Sequence, residues 1–225
     1  TLLTEFDWTP YGGTKRTLTA ELQNYANWFS YYRLRVTMAK AAASRVFARL
    51  GTGYRVGFNT IWDRQSYNIP VGTNKGIFSG TNKENWFSKL FDSNSTSGTP
   101  LHNALKRTGD YYSNENTTGP YGPDKLSCRQ NFAILTTDGY WNNKPNGTSG
   151  YLANNDNTEG NEYTSTKGEK YKYSPELPYQ DGYTGTLADV AMYYWKRDLA
   201  PGLDNNVPTT GKNPAFWQHM RTYGI

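Results

Sequence analysis

The stretch NFAILTTDG, residues 131–139, is a short apolar run that ends in Thr137, Asp138 and Gly139. A run of this length bounded by a turn signal predicts a buried strand, and its continuous apolar character is typical of a central strand in a parallel sheet. Ligands bind beyond the carboxyl ends of such strands. Asp138 is therefore the first candidate for a ligand-binding residue, while Asp-Gly after a strand is also the signature of a simple turn.

Predicted helices precede this strand. Between residues 25 and 50, aromatic and aliphatic residues recur every three or four positions, which predicts one long amphipathic helix. Residues 54–62, YRVGFNTIW, follow as a predicted strand, and residues 82–91, NKENWFSKLF, as a second helix. Thr99 and Pro100, as N-cap and first helical residue, predict a third helix that runs to about residue 112.

The second half of the chain contains the longest irregular stretch. Residues 141–183 are polar and rich in Asn, Gly, Lys and Tyr, so we expect a surface insertion, with the Asn/Asp cluster at 154–157 as a solvated loop. Residues 186–199 predict a capped helix, residues 214–220 a short helix, and residues 221–225 the start of a strand. This order predicts an α/β fold with a doubly wound, mostly parallel sheet flanked by helices and truncated at both ends.

Composition excludes several classes of protein. The net charge of +5 arises from dispersed basic residues, so we expect no nucleic-acid partner. No run of 18 apolar residues occurs, which predicts no membrane-spanning segment. Cys128 is the single cysteine, which excludes an internal disulfide. A buried free thiol and pairing with a cysteine outside these 225 residues both remain open for Cys128.

Five segments together resemble the N-terminal region of PilY/PilC-family proteins, which are adhesins and assembly factors at the tip of bacterial type IV pili. They are LQNYANWFSYYRLRVTMAK, SGTPLHNAL, CRQNFAILTTDGYWN, YQDGYTGTLADVAMYYWKRDLAPGLDNNVP and NPAFWQHM. The resemblance implies a partial von Willebrand factor A-like domain over residues 22–225, after a leader of unknown role at 1–21. It also implies export through the periplasm to the outer surface or pilus tip, with minor pilins and host or surface ligands as partners.

Von Willebrand factor A-like domains often hold a divalent cation in a metal-ion-dependent adhesion site. By motif, the resemblance assigns Thr99 in SGTPL and Asp138 in LTTDG to two of its three ligand loops. The first loop motif, Asp-x-Ser-x-Ser, does not occur in these 225 residues. The resemblance therefore implies Mg²⁺ or Ca²⁺ in the parent protein, completed by ligands from elsewhere, because these cations favour a full shell of oxygen ligands.

Two other functions compete with an adhesin. An enzyme is not expected, because His102 and His219, the two histidines, lie in no recognised catalytic motif. A secreted glycan-binding module is the main alternative, since aromatic residues crowd the polar insertion. Tyr140 and Trp141, directly after Asp138, are its leading candidates for binding residues, and packing of the loop is their structural explanation.

Overall fold

A computed structural model describes residues 5–95 and 97–225 and divides the chain into two compact units, 1–50 and 51–225. In the first unit a small antiparallel hairpin precedes two helices. Its elements are β1 (Glu5–Asp7), β2 (Lys15–Thr17), α1 (Leu18–Tyr31) and α2 (Arg35–Ala48). The predicted leader at 1–21 and domain at 22–225 stay predictions, since nothing in the fold tests that assignment.

The single helix predicted over residues 25–50 is wrong: the chain forms α1 and α2 with a break at 32–34. The side chain of Thr37 explains the break. Its hydroxyl accepts from the Leu34 amide at 3.3 Å and donates to the Leu34 carbonyl at 2.8 Å. Because this hydroxyl binds the backbone of an extended residue, α2 acquires an N-terminus of its own.

In its described residues, 51–95 and 97–225, the second unit contains two parallel strands, two short hairpins and three α-helices. Its elements are β3 (Phe58–Asn59), β4 (Ser66–Tyr67), α3 (Gly80–Asp92), α4 (Leu101–Tyr112), β5 (Asn131–Leu135), β6 (Tyr163–Thr164), β7 (Lys170–Tyr171), α5 (Leu187–Trp195) and β8 (Met220–Gly224). The chain is thus a mixed helix and strand protein with small sheets.

The strand predicted over residues 54–62 shrinks to β3, which pairs antiparallel with β4. A turn ends it early: Asp63 has a φ of 58°, and its amide donates to the Thr60 carbonyl at 2.8 Å. The sequence YRVGFNTIW therefore continues into a loop that reaches Trp62 instead of extending a parallel sheet.

Helices α3 and α4 confirm two predicted helices, but the predicted cap of α4 is wrong. Pro100 occupies the N-cap position and no side chain caps this end. Both backbone polar groups of Thr99 bind Asn142 instead, so Thr99 belongs to a loop–loop contact.

The predicted strand after residue 131 is confirmed as β5, and the last strand, β8, pairs with it in parallel from Asn131↔Met220 to Leu135↔Gly224. Within the described residues β5 has β8 as its one strand neighbour, which differs from the expected central position. Ala133 and Met220 pack against α4 and α5 in the main core, with Leu105, Val190 and Leu199. Phe132 and Ile134, on the opposite face, are exposed.

The segment 150–173 lies within the predicted insertion and is anchored by buried polar groups. Within the Asn/Asp cluster predicted to be solvated, two residues instead pack inward, Asn155 at 5% and Asp156 at 1% exposure, while Asn157 is exposed as predicted. The Asn155 amide donates to Asp189 at 2.6 Å, at the capped start of α5. Lys196, at the other end of α5, donates to the carbonyls of Asn155 and Thr158 at 2.7 and 3.0 Å.

Residues 214–219 are irregular with a bend at residues 217–218, and β8 begins at Met220, so the short helix predicted over 214–220 is wrong. Backbone hydrogen bonds hold this segment against neighbouring loops: Val207 donates to Phe216 at 2.9 Å and Leu199 to Gln218 at 2.7 Å. Fully buried Trp217 then stacks near the rings of Tyr163 and Tyr171, with centroid distances of 4.7 and 5.9 Å. This aromatic cluster fixes the hairpin β6–β7 to the rest of the unit.

Candidate functional site

The loop 138–142 leaves the carboxyl end of β5, where ligands bind in open parallel sheets. The Thr137 amide donates to the Ile225 carbonyl at 3.0 Å, which fixes the start of the loop next to the end of β8. Asp138 is exposed, and Tyr140, at 93% exposure, projects almost entirely into solvent. The loop therefore presents a carboxylate and a phenol ring at one end of the parallel pair.

Asn142 clamps this loop to the segment that carries Thr99. The side-chain oxygen of Asn142 accepts from the Thr99 backbone amide, and the backbone amide of Asn142 donates to the Thr99 carbonyl at 3.0 Å. Gly98 is required for this approach, because a Cβ at that position would collide with the side-chain amide of Asn142. The two segments assigned by motif to a ligand site are thus brought side by side.

A third loop, residues 60–64, adjoins the same place. The indole nitrogen of Trp62 donates to the Gly98 carbonyl, and Arg64 donates to the Ser97 hydroxyl at 3.1 Å. Arg107, on α4, holds the loop by donating to the Ile61 carbonyl at 2.7 Å. Sequence analysis did not identify Asn142 or Trp62, because the pairing of their loops is visible only in three dimensions.

Fully buried His102 packs against the loop 138–142 through Trp141. Trp141 packs edge-on against its ring at a centroid distance of 5.5 Å. His102 Nε2 lies 3.1 Å from the Gly185 carbonyl, which can only accept, so Nε2 carries the proton of a neutral ring. Burial lowers the pKa of His102, which keeps the ring neutral at physiological pH. His102 is thus a structural residue that positions Trp141, leaving its indole about half exposed.

The described residues do not fit a metal ion on their own. No group of three or more His, Cys, Asp or Glu side chains in residues 5–95 and 97–225 is arranged to hold one. Asp138 and Thr99 would supply two oxygens, whereas Mg²⁺ requires near-octahedral coordination and Ca²⁺ six to eight oxygen ligands. The predicted roles of Asp138, Thr99, Tyr140 and Trp141 stay predictions.

Cys128 lies in the loop before β5 and is exposed as a free thiol. The buried thiol, one of the two alternatives left open by the sequence, is therefore wrong. Pairing outside these residues stays a prediction. In the described part of the chain, no helix is both long and apolar enough to cross a membrane.

The architecture is a mixed α/β module in which three loops meet at one end of a parallel strand pair. The alignment with the type IV pilus biogenesis factor PilY1 of Pseudomonas aeruginosa strain PAO1 spans 238 positions, covers 92% of the chain and shows 32% identity. The alignment with the protein of the same name from strain PAK spans 235 positions and shows 31% identity. The chain spans about a fifth of the length of these relatives. No family model and no solved structure matches it.

Proposed function

We propose that this chain is a von Willebrand factor A-like binding module of a type IV pilus biogenesis protein that acts in pilus assembly, attachment and surface sensing. One observation carries the proposal: similarity to pilus biogenesis factors extends over 92% of the chain. The convergence of those loops beyond a parallel strand supports a ligand-binding role.

The proposal includes a location and partners. The module acts at the pilus tip or outer surface after export through the periplasm, with minor pilins on one side and host or surface ligands on the other. We infer no catalytic role. A doubly wound sheet and an adhesion site for Mg²⁺ or Ca²⁺ would require further strands and further oxygen ligands from outside the described residues, which supply one parallel strand pair and the two candidate ligands Thr99 and Asp138.

Replacement of Asp138 in the full-length protein tests the adhesion site. We expect Asp138→Ala to reduce attachment of bacteria as strongly as chelation of divalent cations does, while pili are still assembled. Asp204→Ala is the matched control, because Asp204 is also an exposed loop aspartate. Loss of pili along with attachment would assign Asp138 to assembly, and wild-type attachment by Asp138→Ala would refute the adhesion site.

A glycan-binding module is the second candidate, and the exposure of Tyr140 favours it. A phenol ring that is 93% exposed beside the indole of Trp141 offers apolar faces for stacking. Binding of the isolated chain to a glycan array in the presence of EDTA, lost in Tyr140→Ala and kept in Tyr11→Ala, would support it. Tyr11 is a suitable control because it is also highly exposed, at 83%.

A further inference from the structure

A cleft of about 400 Å³ lies in the second unit between residues 71–75 and the loop 122–129. Val71 and Pro123 provide apolar walls, and Asn74, Lys75, Asp124 and Arg129 provide polar groups. A cleft of this size accommodates a monosaccharide or a very short peptide segment. None of these residues takes part in the loop cluster around Thr99 and Asp138.

The backbone on one side of the cleft is held in an uncommon conformation. Asn74 and Lys75 have φ values of 47° and 52°, and Gly76, at 73°, follows them. Only glycine fits at Gly76, because a Cβ there would lie 2.7 Å from the Ile69 side chain. Left-handed backbone at consecutive non-glycine residues is costly and clusters at binding sites.

Buried hydrogen bonds keep this turn in place. The side-chain amide of Asn82, 3% exposed, donates to the carbonyls of Thr73 and Ile77 at 2.9 and 3.0 Å. Arg55 donates to the Lys75 carbonyl at 2.6 Å. The turn is therefore organised before any ligand arrives, which lowers the entropy cost of binding.

Positive charge exceeds negative charge in the cleft. Lys75 pairs with Asp124 at 3.5 Å, whereas no ion pair to Arg129 is found among the described residues. The Arg129 guanidinium donates through Nη1 to the Pro120 carbonyl at 2.6 Å, and its buried Nε has no hydrogen-bond partner in the described part of the chain. Burial and the nearby charge of Arg55 lower the pKa of Arg129 more than the Asp124 carboxylate raises it, as expected for a cation without full compensation.

We propose that this cleft binds a single carboxylate group, with Arg129 as its cationic partner and the preformed 74–76 turn as its rim. The lining side chains carry one excess positive charge, which matches a monoanion, and the Asp124 carboxylate, on the same loop as Arg129, disfavours a phosphate dianion. Guanidinium groups bind carboxylates with paired, charge-assisted hydrogen bonds. The carboxylate can come from an acidic sugar or from a polypeptide, and this inference is independent of the proposed adhesion function.

Calorimetric titration of the 225-residue chain tests the cleft. We expect D-glucuronate to bind with a Kd of about 1 mM, typical of a small ligand with one anchoring group, and neutral D-glucose not to bind. Asn74→Asp keeps the shape of the rim and adds a negative charge, so binding should weaken about tenfold. Asn143→Asp is the matched control because Asn143 also has a positive φ, 54°, and does not line the cleft.

A second pair of ligands distinguishes the two sources. N-acetyl-trialanine with a free carboxylate should bind more tightly than its carboxamide, because the cleft binds the carboxylate. If the natural ligand is a polypeptide, N-acetyl-trialanine should also bind more tightly than glucuronate. Arg129→Lys should weaken carboxylate binding about tenfold to a hundredfold, since it keeps the charge but loses the planar pair of donors. Equal binding of glucuronate and glucose, tighter binding of inorganic phosphate, or full binding by Asn74→Asp would each overturn the proposal.

Discussion

The loop 138–142 and the segment 150–173 are similarly polar in sequence but differ in how they are held. The loop is mostly exposed, and two hydrogen bonds fasten it to the backbone of Thr99, one from the side chain and one from the backbone of Asn142. The segment is anchored by buried Asn155, Asp156 and Tyr173 and by the ammonium group of Lys196. Polar composition therefore does not by itself predict a solvated loop, because buried polar groups such as the Asn155 amide and the Lys196 ammonium group are stable where their hydrogen bonds are satisfied.

Removing the Lys196 ammonium group, which anchors the segment 150–173, should cause the largest loss of stability. Lys196→Met removes the ammonium donor from the Asn155 and Thr158 carbonyls and the nearby cation from Asp156, so we expect a loss of about 3 kcal/mol or more in unfolding free energy. Urea unfolding followed by tryptophan fluorescence would measure it. Lys172→Met, which removes an exposed pair with Glu159, should cost less than about 1 kcal/mol; equal losses would contradict the anchoring role.

Acidification should also loosen the anchored segment, through His219. The Asn213 side-chain oxygen accepts from Trp195, so its amide group donates to His219 Nε2, while Nδ1 donates to the Trp217 carbonyl at 2.7 Å. The ring is thus held neutral, and burial lowers its pKa to about 4.

Because the unfolded chain binds this proton near pH 6.5 and the folded chain near pH 4, His219 stabilises the fold above pH 6.5 and loses its contribution as the pH falls towards 4. The loss reaches about 3 kcal/mol. Unfolding free energies of wild type and His219→Gln, measured from pH 7 to pH 4, should differ most at pH 7 and converge on acidification. Parallel curves would show that His219 does not titrate in this window.

Breaking the hydrogen bond that holds the loop 138–142 to Thr99 should lower the unfolding free energy moderately. Asn142→Ala removes the acceptor of the Thr99 amide, which costs about 1 kcal/mol for one partly exposed hydrogen bond. Hydrogen exchange at the Thr99 amide should accelerate, whereas exchange at Asn155, bound to Asp189, should stay unchanged. Unchanged protection of Thr99 would show that the clamp is not formed in solution.

The smallest effect is expected at the exposed ring of the same loop. Tyr140→Ala removes a side chain with almost no contacts, so the unfolding free energy should change by less than about 0.5 kcal/mol. Tyr173→Ala, in the anchored segment, removes a buried ring and its hydrogen bond to the Asp156 carbonyl at 2.6 Å, and should cost about 3 kcal/mol or more. Thermal unfolding of both variants compares the two regions directly.

The sequence predicted elements with strong local signals. The helices α3 and α4, the capped start of α5 and the strand β5 all follow from hydrophobic spacing, Pro or a Thr–Asp pair. The single long helix, the strand over 54–62 and the short helix at 214–220 were wrong, because Thr37, a turn at Asp63 and backbone bonds to Phe216 outweighed the local pattern.

Candidate site residues could be placed at the end of β5 from the sequence, since Asp138 directly follows an apolar run. Their neighbours could not. The clamp from Asn142 to Thr99 and the bond from Trp62 to Gly98 join loops distant in sequence. A short polar side chain in a loop gives no signal of the distant backbone that it will bind. The cleft at Arg129 was missed for the same reason, because the two segments that form it are distant in sequence.

The pairing of β5 with β8 also bears on how quickly the second unit reaches its final state. The paired residues Asn131 and Met220 are about 90 positions apart, so pairing of the two strands requires closure of a long chain segment. Pairings of that kind slow folding to milliseconds or seconds. Helix α4, stabilised by local hydrogen bonds, is expected to form early, whereas β8 docks last. The side-chain amide of Gln218, which donates to the Ser127 and Asp204 carbonyls at 2.6 and 2.8 Å, would then form its hydrogen bonds in this last step.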